Sequence, residues 1–119
     1  MTRCAEDAAL AARFAGLLDA ARAAEQKFRQ AQAARAPLAE QHSLALALDA
    51  ALTAAMRAAY AAERAEIGPR GYDDRIFRRK AKATSAVHSW TDEAERLLTL
   101  RESHRLSGIP AVPRPHAAA

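Results

Sequence analysis

The feature that most limits what this chain can fold into is a 3.5-residue apolar repeat carried largely by alanine. In the first third, Leu10, Phe14, Leu17, Ala21, Ala24, Phe28 and Ala31 alternate spacings of four and three, the repeat of helices that wind around one another. The last third repeats it with Ile76, Lys80, Ala83, Val87, Trp90, Ala94, Leu97, Arg101 and His104, flanked by Phe77 and Leu98. Its two charged members can snorkel. The middle segment carries two rows, one of Leu38, Ala45, Leu48, Leu52, Ala55 and Ala59 and one of Leu46, Thr53, Tyr60 and Ile67. A helix with two apolar rows has two neighbours.

Thirty-four of the 119 residues are alanine, and strand formers are scarce, so the composition suits long helices. At this length one core is all that surface-to-volume scaling allows. The expected fold is therefore all-α: a three-helix antiparallel (up-down-up) bundle over residues 1–106, followed by a disordered, proline-containing tail over 107–119. Large apolar side chains are few for the backbone entropy that must be overcome. A marginal monomer is expected, stabilised by self-association or by a protein partner.

Two boundaries are written into the sequence. Gly68, Pro69 and Gly71 stop the second helix, and Asp73 or Asp74 can cap the next. Pro37 marks the start of the second helix less firmly, since no Gly or Ser immediately precedes it. A competing break lies at Ser89–Glu93, where Thr91 or Asp92 resembles a cap and would make four helices. The unbroken heptad phase from 87 to 97 favours three. Aligning helix ends places Trp90 opposite Ala21 and Thr53 as the central core residue, and Phe14 opposite Ala83.

Charge is unevenly placed. Residues 1–66 are neutral, whereas 67–82 carry six Lys or Arg against two Asp and hold the whole net charge of +4. Arg75, Arg78 or Arg79, and Lys82 recur at helical intervals as a cationic ridge, with Ile76, Phe77 and Ala83 expected inward. Arg70 and Lys80 extend it. Tyr72 either stacks on a base or staples the turn, and an Asp74 to Arg78 pair is expected to neutralise part of the ridge. An acidic protein surface or a nucleic acid would both suit such a segment.

Other chemistry is sparse. His42 and His104 fall at one end of an up-down-up bundle near Glu40 and Glu102, yet no pair has the i, i+3 or i, i+4 spacing of a helical metal site, so no metal or cofactor is expected. Ser85, His88 and Asp92 share a helical face without an oxyanion hole or pocket, and no catalytic residue is assigned. Cys4 is the only cysteine and cannot form an internal disulfide. Glu6, Asp7 and Arg13 interrupt any signal-peptide run, and no membrane segment is expected. The sequence thus reads as a cytoplasmic, non-enzymatic interaction module: a protein-binding adaptor or oligomerising subunit, with Ile109 to Pro115 as a docking strip. The alternative is a nucleic-acid-binding accessory protein that uses Arg70, Tyr72, Arg75, Arg78, Arg79, Lys80 and Lys82. No small-molecule substrate is inferred.

Overall fold

The computed structural model describes residues 2–112. Among them the fold is all-α, with α1 (Arg3–Ala11), α2 (Phe14–Ala33), α3 (Leu38–Ile67), α4 (Arg75–Ala81) and α5 (Ser85–Ser103), plus a 3-10 turn at Pro69–Tyr72 and a π-helical turn at His104–Gly108. Five helices replace the three expected. The up-down-up course nonetheless holds, because α1 and α2 form one rod kinked at Ala12 and Arg13, both of which keep right-handed helical angles.

α3 is the central rod. α1, α2 and α5 all pack on it, while α2 and α5 approach each other less closely. Alanine explains the difference: Ala45, Ala55, Ala58, Ala59, Ala61 and Ala62 are buried along α3, and methyl side chains let backbones come close. Between α2 and α5 the contacts are aromatic, Phe14 with Trp90 and Phe28 with His104. By length and hydropathy alone α3 is apolar enough to cross a membrane. The other rods cover part of that apolar surface, and Leu38 and Leu46 remain exposed.

The turn between α2 and α3 is a full reversal. The Ala36 N–H bonds to the Ala31 carbonyl at 3.0 Å and the Arg35 N–H to that of Gln32 at 3.1 Å, the paired bonds of a Schellman cap. Arg35 takes the left-handed position at φ 52°, where glycine is usual. Pro37 follows in extended geometry and α3 starts at Leu38. At the other end of α3, Gly68 has φ 93°, as the sequence signal implies, and the Asp74 carboxylate accepts the Phe77 N–H at 2.9 Å as the cap of α4.

The third rod differs from expectation. α5 runs unbroken through Ser89, and the break lies earlier, at Lys82–Thr84, where the Thr84 hydroxyl donates to the Ala81 carbonyl at 2.7 Å. The first heptad of that rod is thereby detached as α4. Ile76 and Ala83, expected inward, are exposed, Ile76 at 71%, and Phe77 is half-buried. Register moves with it: Phe14 faces Trp90, one heptad beyond Ala83. Trp90 is a half-buried residue against the core rather than its centre, and the large side chains buried completely are Phe28 and Leu97.

Contacts of the bundle continue past residue 106. Ile109 packs against the core, and the His42 Nδ1–H donates to the Pro110 carbonyl at 2.7 Å. The first part of the expected disordered tail is thus held on the bundle, and residues 113–119 lie outside the described residues.

Candidate docking site at the basic end

At the junction of α3 with α4 the chain must hold a charged, glycine-containing turn against two helices. Tyr72 does so: its hydroxyl donates to the Asp7 carboxylate, which also accepts two bonds from Arg64, at 2.8 and 3.0 Å. The Arg64 guanidinium, helped by Tyr72, holds Asp7 below the usual carboxylate range even though burial opposes it. Burial, then the bond to Asp7, pushes the Tyr72 phenol up to about 12. Of the two roles open to Tyr72, the geometry gives it the staple. Arg3 lies over the face of its ring, 5.2 Å from the centroid.

The remaining cations divide into two groups. Arg70 pairs with Asp74 at 3.4 Å and covers the Phe77 ring. The expected Asp74 to Arg78 pair is replaced by this one, because Arg78 turns back to donate to the Gly71 carbonyl at 3.0 Å. Lys82 lies 3.9 Å from Glu63, a carboxylate buried on α3 that also accepts the Thr91 hydroxyl at 2.5 Å. Arg75, Arg79 and Lys80 are exposed and have no carboxylate partner among the described residues.

These unpaired cations, with Asp73, Asp74, Arg78, Lys82 and the exposed Ile76, border an open hollow of about 820 Å³. The sequence located the charge but placed Ile76 inward, whereas it lines the hollow. A signal was present in Thr84, a residue type favoured at helix starts, which stands at the N-terminal boundary of α5.

Elsewhere the candidate residues are not assembled for chemistry. His42 and His104 do fall at one end, but His42 bonds Pro110 and the His104 Nε2–H donates to the Ala45 carbonyl at 2.8 Å. Among the described residues no three metal-ligating side chains are grouped. His88 and Asp92 are 3.4 Å apart and well exposed, and the Ser85 side chain does not join them, its carbonyl instead accepting from Ser89.

The chain matches no protein-family model, no curated protein and no solved structure.

Proposed function

We propose that this chain is a non-enzymatic, cytoplasmic interaction module that docks on an acidic protein through α4. The observation that carries this reading is Ile76, 71% exposed and bordered by Arg75, Arg79 and Lys80. A partner that offers carboxylates around an apolar pocket satisfies both features, with charge guiding encounter and Ile76 supplying buried area. A phosphate backbone would use the cations and leave the isoleucine in water. Of the Ile109 to Pro115 strip, Ile109 and Pro110 are engaged by the chain's own core and by His42, and 113–115 lie outside the described residues.

Two labelled probes of equal charge test it by anisotropy: a peptide alternating Glu and Leu, and oligo-dT. The peptide is expected to bind more tightly, to survive 200 mM salt in part, and to lose affinity with Ile76→Ser. Phosphate contacts instead lose orders of magnitude between about 50 and 200 mM salt. Tighter binding of oligo-dT, indifferent to Ile76→Ser, would establish the nucleic-acid reading that the three unpaired cations favour.

A further inference from the structure

The α4 surface calls for a partner that sets carboxylates beside an exposed apolar side chain, and the chain carries such a surface itself. Asp92, Glu95, Arg96, Thr99 and Leu100 are all exposed and line an open hollow of about 390 Å³ on α5. Their spacings of three and four residues put them on one helical face. Leu100 is 42% exposed there.

The acidic charge of that face is available. Arg96 is bound by Glu93 at 2.6 Å, whereas among the described residues Glu95 has no Lys or Arg partner and Asp92 has only the exposed His88, at 3.4 Å. These two carboxylates are opposite in sign to Arg75, Arg79 and Lys80, the unpaired cations of α4. Each set shares its hollow with one exposed aliphatic side chain, Leu100 or Ile76. Complementary charge brings two such faces together, and joining the aliphatic side chains removes both from water.

One molecule cannot make this contact with itself. The Arg78 bond to the Gly71 carbonyl, and Arg70 over the Phe77 ring, hold α4 at its own end of the bundle. Leu100 lies about 22 Å along α5 from Ser85, at a rise of about 1.5 Å per residue. We infer that the partner of α4 is a second copy of this chain, received on the Asp92–Leu100 face of α5. This rests on the α4 docking reading and names its partner. Made twice about a two-fold axis, the contact closes a dimer; made once per pair, it continues into a ring or an open chain.

Sedimentation velocity of the full chain from micromolar to millimolar concentration tests it. The mass is expected to rise with concentration, and Ile76→Ser and Leu100→Ser, both at exposed sites, should each raise the dissociation constant about tenfold. Each variant keeps one intact face, so an equimolar mixture of the two should associate more tightly than either alone. A monomer throughout, association indifferent to Leu100→Ser, or a mixture no tighter than its components would overturn the self-docking. In those cases the Glu-Leu peptide separates the two readings: binding that is lost with Ile76→Ser keeps α4 as a dock for another acidic protein, and no binding overturns the α4 reading as well.

Discussion

Phe14 meets the indole of Trp90 edge to face, with ring centroids 5.2 Å apart and planes at 89°. Together with Phe28 and His104, 5.6 Å apart at the far end, this pair sets the spacing of α2 and α5. Two aromatic wedges between outer rods, and alanine along the central one, are how a chain with few large residues fills its core. Phe28→Ala, at a fully buried site, should lower stability by about 3–5 kcal/mol. Trp90→Ala, at a half-buried one, should cost less, about 2–3 kcal/mol. Urea unfolding followed by circular dichroism measures both. A greater loss at Trp90 would place the core's centre at the wrong end.

Arg35 occupies a left-handed cap position that glycine fills without a Cβ penalty. Arg35→Gly is expected to raise stability by about 0.5–1 kcal/mol, read as a higher urea midpoint at unchanged slope.

Gly71 is buried beneath Ile67, and an added Cβ would sit 2.3 Å from the Ile67 Cγ2. Gly71→Ala should destabilise by about 1–3 kcal/mol through overpacking. Ile67→Ala, which removes that Cγ2, should cost less in the Gly71→Ala background than in the parent chain. Additive losses in the double variant would show that the clash is elsewhere.

Two groups of the Asp7 knot give stability a pH window. The folded Asp7 is held below its ordinary range, so its contribution is present above about pH 4 and disappears as pH falls through the folded value. Tyr72 is displaced the other way, to about 12, so its contribution is complete below about pH 10 and disappears between there and 12. Stability should be level from about pH 5 to 9 as far as these groups decide it. Tyr72→Phe should remove much of the alkaline loss, measured as the difference in urea midpoint between pH 9 and 11.5. An unaltered difference would assign the loss to another group, Tyr60 first, whose phenol is also raised by burial.

Glu63 is buried and takes the Thr91 hydroxyl as its short partner, with Lys82 more distant at 3.9 Å and half-exposed. Thr91→Val leaves a buried carboxylate without its donor and should cost about 1–3 kcal/mol. Lys82→Gln should cost under about 1 kcal/mol, as exposed ion pairs do. A greater loss for Lys82→Gln than for Thr91→Val would mean that the ion pair is the stronger support.

Local signals carried much of the fold. The heptad repeat specified helices, Gly68 and Pro69 stopped α3, Asp74 capped α4, and up-down-up order alone put His42 and His104 at one end. The repeat, the stop and the cap depend on residues within a few turns of one another, where spacing and backbone preference suffice, and the histidine placement follows from helix order. The charge of the α4 segment was legible because it is a property of one short stretch of chain.

Register, the outward turn of Ile76 and the Asp7–Arg64–Tyr72 knot were decided only in three dimensions. A heptad pattern looks the same after a slip of one heptad, so periodicity cannot choose between Ala83 and Trp90 as the partner of Phe14; the volumes of all three rods choose. Asp7 and Tyr72 are 65 positions apart and Asp7 and Arg64 are 57 apart, so no spacing rule links them. The sequence determined that rods form and where they end, because those energies are local. The tertiary structure decided which faces meet, because packing and ion pairing depend on neighbours that the chain brings together only by folding.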